Sequence, residues 1–511
     1  MKFVATNDVR AAEAAAITER PELGMQMMNR AGQALSNLLV DLLEQSGSPA
    51  PLVRFLAGPG NNGGDALVAA SNLTVAGIAV DVWLTCPIER LEGDAKNAYD
   101  LFEGIGGFVH ELDEDHLGQL TAGSVRPTLL VDALLGTGAR GEPRGLVAWA
   151  VDYLNSMAGR CPVVAVDIPT GMDAETGQIA ARHVRADYTL TMEVPKAGMA
   201  SPKAFEALGS LWCAPVGLPA DVADALSTSA PDLRLITAAE AARAFPRRAR
   251  DGHKGIYGTV GLIGGAEPYP GAMVLAAEGA NRSGAGLVKV WTSPGAVAAI
   301  LARAPETIVF EDVSADTPLD GLDAILVGPG LGQGPESRRL VLRLLREASC
   351  PVVLDADAIN VLEGRPEVVR DNLTQAVLTP HPGELARLLG KSVLEVQADR
   401  LAAVREAAER TDALVILKGA GTLIAGGKEP TWLNLTGNPG MACGGSGDVL
   451  AGLLAGFLAR GVKAPDAARA AVWLHGTAGD ISALRLGEAA MKAGDIVQAL
   501  PAATRWAARN A

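Results

Sequence analysis

The residues best placed to do chemistry lie in a glycine-rich segment near the carboxyl terminus, LTGNPGMACGGSGDVLAG at positions 435–452. Gly445, Ser446 and Gly447 precede an apolar helical stretch, and Asp448 lies in its predicted first turn. Backbone amides at a helix amino terminus bind phosphoryl groups, and a carboxylate beside them can accept a proton from an attacking hydroxyl. The pattern predicts half of a kinase-like site, with helix capping by Asp448 as the alternative.

Other polar residues of the second half follow apolar runs that are typical of buried strands. LTPHPGE places His381 and Glu384 after one such run, and LKGAGTLIA places Lys418 in a turn between two strands. VGPGLGQG at 327–334 and LDADAIN at 354–360 end two further runs. Because ligands bind at the carboxyl ends of parallel strands, we expect these residues to share one cleft. Purely structural roles for His381 and Lys418 stay open.

A second candidate site lies in the first half, in LVRFLAGPGNNGGDALVAA at 52–70. A strand, a glycine turn and a helix would direct free amides at a phosphate, and Asn61, Asn62 and Asp65 could bind a cation or ribose hydroxyls. The alternative is local capping, with Asp65 as a helix N-cap. The turn also satisfies GxGxxG, but Asp81 lies near the start of the next strand, where no ribose-binding acid is expected.

Two more strand ends of the first half carry carboxylates and glycines. Asp132 is followed by GTGARGEP, and Asp167 is followed by IPTGMD. Three such loops at neighbouring strand ends should converge, which makes a binding cleft a better interpretation than three separate loop-stabilising acids.

The elements that position these residues form two alternating series of short apolar strands and helices. The first runs from about 51 to 211 after one or two amphipathic helices, and the second from about 258 to the helices after 447. Unalternating apolar runs indicate parallel strands buried on both faces. We predict two α/β domains at 1–215 and 235–511, each with three layers and a mostly parallel sheet, joined by a linker at 216–234.

Composition narrows the function classes. The 511 residues carry a net charge of −14, which argues against nonspecific binding to nucleic acid or anionic membranes. The five cysteines are too widely spaced for a disulfide framework or a zinc ribbon, and the amino terminus lacks a signal-peptide pattern. No apolar segment is long enough to span a membrane. We expect a cytoplasmic protein that acts on small molecules and forms a homo-oligomer.

The motifs of the first half resemble the epimerase domain that interconverts the two forms of hydrated NADH and NADPH. The likeness rests on GPGNNGGD, VDALLGTG and VDIPTGMD and covers about residues 1–215, with Ala66 where the family more often has glycine. It implies a Rossmann-like fold, a catalytic Asp167 and a potassium site at Asn62, Asp132 and Thr170. The implied substrate-binding residues are Asn61, Asn62, Gly63, Gly64, Asp65, Gly136, Thr137, Gly138, Ala139, Arg140, Gly141, Glu142 and Asp167.

The second half resembles the ribokinase-like superfamily through its GSGD turn. TGNPGMACGGSGDVLAG, LTPHPGE and KGAGT resemble, more closely, the ADP/ATP-dependent dehydratase of hydrated nicotinamide cofactors. The likeness implies that Gly332, His381 and Asp448 bind the hydrated cofactor, with Asp448 as the catalytic base. The implied nucleotide-binding residues are Lys418, Gly419, Ala420, Gly421, Thr422 and Gly447.

Together the halves resemble the fused nicotinamide-hydrate repair enzymes. The resemblance implies the substrates NADHX and NADPHX together with ADP or ATP, and potassium in the first domain; magnesium is expected with the nucleotide in the second. Three rival hypotheses stay open: a ribokinase-like vitamin-precursor kinase, an NAD-dependent oxidoreductase and a non-catalytic cofactor sensor. The first domain could also serve as an interaction module.

Overall fold

The computed structural model describes residues 1–113, 120, 126–226, 233–245, 249–372 and 375–509. The chain divides into two compact units, of which the first comprises Met1–Pro231 and the second most of the remainder. The predicted linker at 216–234 includes 227–232, which lie outside the described residues. Each predicted domain also contains a few positions outside the described residues. The last two linker positions, 233 and 234, lie in a strand of the second unit's sheet.

The first unit is built on a seven-stranded parallel sheet. Its order is β3-β2-β1-β4-β5-β6-β7. The strands are β1 Leu52–Ala57, β2 Ala79–Leu84, β3 Val109–Glu111, β4 Leu129–Ala133, β5 Val163–Val166, β6 Tyr188–Met192 and β7 Ser210–Ala214. The strand order reverses at β1, with β2 on one side of it and β4 on the other. The loops after β1 and β4 therefore separate at a switch point, which is where open α/β sheets bind ligands.

Helices cover this sheet because their apolar faces need burial. They are α1 Thr6–Glu19, α2 Leu23–Ser46, α3 Asn61–Val75, α4 Gly93–Gly104, α5 Gly145–Ser156, α6 Phe205–Leu208 and α7 Ala220–Ala225. In α2, Leu35, Leu39 and Leu42 are fully buried at the spacing of one helix face.

A buried arginine inside the sheet is paired with polar side chains. The guanidinium of Arg54 in β1 donates to Asp81 of β2 at 2.7 Å and to the Tyr153 hydroxyl at 2.6 Å. Asp81 thus stabilises a buried arginine, which gives this acid a structural role at the start of β2.

The second unit contains a ten-stranded sheet of order β11-β10-β9-β12-β13-β14-β15-β16-β17-β8. β16 runs antiparallel to β15 and β17, and the other neighbours are parallel. The strands are β8 Leu233–Leu235, β9 Thr259–Ile263, β10 Leu287–Trp291, β11 Ile308–Phe310, β12 Ala324–Val327, β13 Val352–Leu354, β14 Ala376–Leu378, β15 Leu414–Leu417, β16 Thr422–Ala425 and β17 Thr431–Asn434. The strand order reverses at β9, beside β12.

The α-helices of the second unit precede, connect and follow these strands. They are α8 Ala238–Ala242, α9 Pro270–Arg282, α10 Pro294–Arg303, α11 Pro335–Glu347, α12 Asp357–Asn360, α13 Glu367–Arg370, α14 Pro382–Leu389, α15 Val393–Ala398, α16 Arg400–Thr411, α17 Ser446–Ala459, α18 Ala464–Leu486 and α19 Ala493–Arg509. Twelve of the fourteen residues of α17 are buried, which explains its almost wholly apolar sequence.

The predicted α/β class and parallel sheets are confirmed. The sequence pattern did not identify the short strands β3, β7, β8, β11 and β17, because three to five residues give little periodicity. It identified β16 only as the second strand beside the Lys418 turn. Among the helices of the described residues, none is long and apolar enough to cross a membrane.

Candidate active sites

The turn between β1 and α3 requires glycine at two places. A Cβ on Gly63 would lie 2.0 Å from the Gly58 carbonyl oxygen, and one on Gly58 would lie 2.0 Å from the Leu134 carbonyl oxygen. Side chains are therefore excluded where the β1 loop approaches the β4 loop. Asp65 is the fifth residue of α3, and no side-chain cap bond forms at the start of this helix. The capping interpretation of Asp65 is wrong.

Asn62 joins the three predicted loops. Its Nδ2 donates to the Val166 carbonyl at 2.7 Å and to the Leu135 carbonyl at 3.2 Å. A Cβ on Gly136 would lie 2.6 Å from Asn62 Oδ1, so the carboxamide oxygen faces the start of the β4 loop. The structure therefore brings the strand ends of β1, β4 and β5 together, as the sequence predicted.

Asp132 is buried at the end of β4. Its carboxylate accepts hydrogen bonds from the amide and the hydroxyl of Thr170, both at 2.8 Å, and from the Leu134 amide at 3.2 Å. Burial raises the pKa of Asp132 to about 6 despite these bonds. Among the described residues, no basic side chain forms an ion pair with it.

Asp167 follows β5 in a left-handed backbone conformation, with φ at 64°. Its Oδ1 accepts hydrogen bonds from the Thr191 hydroxyl and the Met192 amide, both at 3.1 Å, and the Lys196 ammonium contacts the same oxygen. A non-glycine residue at positive φ costs free energy that the surroundings must offset. Three donors converge on this oxygen and fix the carboxylate at the sheet edge.

Sequence reasoning missed Lys196 and Glu13. Lys196 is 3% exposed, and its ammonium also donates to Thr191 Oγ1 and the Met192 carbonyl at 2.9 Å. Its position four residues beyond β6 was an available signal. Glu13 lies on α1, and burial, offset in part by Lys196, raises its pKa. No local motif marks Glu13.

A cavity of about 190 Å³ lies beside this site. Its lining includes Gly136, Ala139, Arg140, Gly141 and Glu142, all predicted to bind substrate, together with Thr170 of the β5 loop. The Glu142 carboxylate accepts hydrogen bonds from the amides of Ala181 and Arg182 at 2.7 and 3.1 Å. These bonds lower the pKa of Glu142 and fix one end of the predicted phosphate loop. Thr137 and Gly138 do not line the cavity.

In the second unit, Asp448 lies in the first turn of α17. Gly445 precedes the helix at φ 91°, a conformation that favours glycine. No side-chain cap bond forms at this helix start, so the capping interpretation of Asp448 is wrong. Burial, followed by the charges of Asp355 and Glu384, raises the pKa of Asp448 to about 7, although Lys418 opposes the shift. Such a carboxylate can act as a base near neutral pH.

Lys418 reaches this helix start from the β15–β16 turn. A Cβ on Gly447 would lie 3.2 Å from Lys418 Nζ. The ammonium is 2.8 Å from Asp355 Oδ1 and 3.9 Å from Glu384 Oε2, and the Thr379 hydroxyl donates to Asp355 at 2.6 Å. The predicted nucleotide residues Lys418 and Gly447 are therefore neighbours.

The turn that carries Lys418 is held by Arg400 of α16. Its guanidinium donates to the carbonyls of Leu417, Lys418 and Gly421 at 3.2–3.4 Å. Gly419 and Gly421 both have positive φ, so the conformation of this turn favours glycine at the two positions.

His381 and Gly332 lie at two neighbouring strand ends. His381 caps α14, because its Nδ1 accepts from the amides of Gly383 and Glu384 at 2.9 and 3.3 Å. Burial and nearby Lys418 lower the pKa of this imidazole. The Gly332 amide donates to Asp357 at 2.8 Å. Within the described chain, no hydrogen bond links either residue to Asp448.

Helix α18 is one of the helices predicted after 447, but no role at the site was predicted for it. It holds the glycine loop before α17. Asp480 accepts hydrogen bonds from the Gly437 amide at 2.9 Å and from Asn438 Nδ2 at 3.0 Å. His475 Nε2 lies 3.3 Å from the Ser446 hydroxyl, and burial lowers the pKa of His475 to about 4. A neutral imidazole and a carboxylate therefore fix both ends of the loop.

These features define a two-unit α/β protein with a phosphoryl-transfer type of site in its second unit. Residues 260–502 match the family model described as NAD(P)H-hydrate dehydratase, and residues 24–198 match that of the YjeF-related protein N-terminus. The bifunctional NAD(P)H-hydrate repair enzyme of Moorella thermoacetica is 38% identical over 465 residues, covering 88% of this chain and 86% of the relative. The Escherichia coli enzyme of that name is 36% identical, with 87% and 83% covered.

A solved structure supports the fold of the second unit. The ADP/ATP-dependent NAD(P)H-hydrate dehydratase of Bacillus subtilis, co-crystallised with ATP and Mg²⁺, matches at 33% identity and a TM-score of 0.50. The match covers 55% of this chain and all of that one. The chain belongs to the family of bifunctional NAD(P)H-hydrate repair enzymes, and the predicted ribokinase-like fold is confirmed.

Proposed function

We propose that this chain repairs hydrated NADH and NADPH. The first unit epimerises the R and S forms, and the second dehydrates the S form at the expense of ADP or ATP. The observation that carries the proposal is the juxtaposition of Asp448, Lys418 and the start of α17, since it combines a base, a cation and the amides of a helix start at one point. The domain limits 1–215 and 235–511 belong to this proposal.

In the dehydratase reaction, Asp448 accepts the proton of the ring hydroxyl while that oxygen attacks the terminal phosphoryl group of the nucleotide. The amides of Gly445 and Gly447 and the Lys418 ammonium stabilise the negative charge that develops on the transferred group. Phosphate then leaves with the carbon–oxygen bond electrons, and loss of a proton from the adjacent carbon restores the ring double bond. Magnesium bound with the nucleotide neutralises the charge of its phosphates.

The remaining residues of the second unit bind the two substrates in this proposal. The turn at 418–422 and Gly447 hold the adenine nucleotide, and Gly332 and His381 hold the hydrated cofactor beside Asp448. Support comes from their positions at the carboxyl ends of β12, β14 and β15, on one side of the sheet switch point.

In the first unit, Asn61, Asn62, Gly63, Gly64 and Asp65 hold the hydrated ring and its ribose, with Asp167 at the reacting carbon. The loop at 136–142 holds the phosphates in the 190 Å³ cavity that it lines. The loop carries Arg140, a side chain suited to phosphate.

Potassium fits the oxygen groups of Asn62, Asp132 and Thr170. Oxygen ligands without histidine or cysteine suit a hard cation, and no basic side chain of the described residues is paired with the buried Asp132 carboxylate. A bound cation would fix the loops after β1, β4 and β5 against each other. We expect KCl to raise the thermal unfolding midpoint more than LiCl at equal ionic strength, with no such difference in Asp132→Asn.

The function is tested with purified S epimer, magnesium and either ADP or ATP. The protein should restore the reduced nicotinamide absorbance and release one phosphate per cofactor. Asp448→Asn should abolish both signals, while the control Asp371→Asn, an exposed carboxylate paired with Arg370, should retain them. A stable phosphorylated product instead of restored cofactor would indicate the vitamin-precursor kinase.

Two wider expectations accompany the proposal. The five cysteines are free, which supports the proposal of a cytoplasmic location. The expected homo-oligomer is tested by light scattering of the purified chain.

A further inference from the structure

Four titratable side chains meet at the sheet edge of the first unit. Asp65 comes from α3, Asp167 follows β5, Glu13 comes from α1 and Lys196 follows β6. Their charges act on each other: Asp167, Glu13 and Lys196 are the groups whose charges influence the Asp65 carboxyl. The two aspartates are both assigned to substrate binding in the proposed function, but their surroundings differ sharply.

Asp167 lies among hydrogen-bond donors. Its Oδ1 receives hydrogen bonds from Thr191 Oγ1 and the Met192 amide, and the buried Lys196 ammonium forms an ion pair with it. These three donors hold Oδ1 in place, while no described residue donates a hydrogen bond to Oδ2. Oδ2 of Asp167 is therefore the oxygen that can accept a proton from a ligand.

Asp65 lies in opposite surroundings. It is only 7% exposed, and no described residue donates a hydrogen bond to its side chain. Burial, with the negative charges of Asp167 and Glu13, raises the pKa of Asp65 well above its usual value, and Lys196 offsets only part of this shift. A buried carboxyl group without donors favours its protonated form, in which it can donate a proton to a bound ligand.

We propose that Asp65 donates and Asp167 accepts the proton during epimerisation of the hydrated cofactor, and that Lys196 is the positioning residue that holds the Asp167 carboxylate in place. The inference rests on the proposed epimerase function and deepens it. It assigns different roles to two acids that share one site, from the contrast between a donor-free carboxyl and one with three donors.

The chemistry balances with water as the only co-reactant. The ring hydroxyl lies on the carbon beside the ring nitrogen. Asp65 protonates this hydroxyl, the carbon–oxygen bond breaks with its electrons leaving on water, and the nitrogen lone pair forms a carbon–nitrogen double bond. Water then attacks the same carbon from the other face, its proton passes to Asp167, and the double-bond electrons return to nitrogen. The reverse reaction uses the two acids in the opposite order.

The test measures R-to-S conversion above the rate without protein, using the full chain. Asp65→Asn preserves shape but cannot donate a proton to a leaving hydroxyl. We expect its epimerase rate to fall by about 100-fold or more, as for loss of a general acid. Its dehydration of pure S epimer should be unchanged, and its unfolding midpoint at pH 8 should equal or exceed that of the wild type, because a buried carboxyl group without hydrogen-bond donors is removed.

Three further variants complete the experiment. Lys196→Met should lower kcat for epimerisation with little change in KM, because Lys196 contacts Asp167 and positions its carboxylate. Lys196→Arg, which keeps the cation, should recover part of the loss. Asp152→Asn, an exposed carboxylate on α5 paired with Arg182, is the matched control and should behave as wild type.

Near-wild-type epimerisation by Asp65→Asn would overturn the proposal. So would a lowered unfolding midpoint of that variant, since Asp65 would then be structural. A wild-type chain that dehydrates the S form but never converts R would instead refute the epimerase function itself.

Discussion

Asp448 combines burial with neighbouring negative charge, and this combination sets the pH at which the second unit works. With a pKa raised to about 7, Asp448 is protonated below neutrality and cannot serve as a base. The dehydratase rate on S epimer should therefore fall by about tenfold per pH unit on the acidic side and level off above pH 7. Rates measured from pH 5 to 9 at saturating nucleotide check this.

Replacing Asp355 should shift the pH dependence of the dehydratase rate. Asp355→Asn removes a negative charge that raises the pKa of Asp448 and releases the Lys418 ammonium from its ion pair, and both effects lower that pKa. The midpoint of the rate profile should shift to lower pH, with no shift in Asp371→Asn. A midpoint that stays fixed or rises in Asp355→Asn would contradict the electrostatic account.

The sequence identified residues at the carboxyl ends of strands or directly after them, because parallel sheets place those positions at one edge. Asp132, Asp167 and Lys418 were found in this way. Glu13 was not, since it reaches the site from a helix with no motif. Lys196 lies beyond the end of β6, where only the structure shows its contact with Asp167.

The β1–α3 turn requires glycine at position 63 but has room for a side chain at position 60. In Gly63→Ala the new Cβ would overlap the Gly58 carbonyl oxygen, so the turn must open and separate Asn62 from the β4 and β5 loops. We expect the epimerase rate to fall by at least tenfold, while S-epimer dehydration is retained.

Gly60→Ala is the matched control for this turn. A Cβ on Gly60 would meet no heavy atom within 4 Å, and its φ is negative. The Gly60→Ala variant should therefore keep a near-wild-type epimerase rate. Equal loss in both variants would show that steric overlap at Gly63 is not the cause.

Helix α18 is the second element with a defined function, because it anchors the loop that leads to Asp448. Asp480→Ala removes the acceptor for the Gly437 amide and the Asn438 side chain. Loss of a buried acceptor costs about 1–3 kcal/mol. We expect kcat for dehydration to fall by at least tenfold, and Asp480→Asn, which keeps one acceptor oxygen, to recover part of it.

Asp495→Ala is the control that distinguishes an effect of Asp480→Ala on catalysis from an effect on stability. Asp495 accepts a hydrogen bond from the Lys492 amide at the start of α19, so its loss also weakens a helix. It should lower the unfolding midpoint without changing kcat. A kcat in Asp480→Ala equal to that of Asp495→Ala would contradict the anchoring role of α18.

The contribution of α18 could not be predicted from the sequence. Asp480 and Gly437 are 43 residues apart, and no local pattern connects a polar position inside a buried helix with a distant loop amide. By contrast, the strands around GPGNNGGD and the turn at 418–422 were predictable, because their residues form local patterns of apolar runs and glycines.

At the scale of the whole molecule, the chain joins two sheets, each with a candidate site at its switch point. The family comparison covers both units, so the two activities belong to one protein. The central claim is that the units act in sequence on the same substrate, with the S epimer as the shared species.

The most direct test follows the reduced nicotinamide absorbance after the protein is mixed with both epimers, magnesium, potassium and ADP or ATP. The wild type should restore all of the cofactor. Asp448→Asn should restore none, and Asp167→Asn should stop, apart from slow epimerisation without protein, once the S form is consumed. Full recovery by Asp448→Asn, or no recovery by the wild type with either nucleotide, would contradict the assignment.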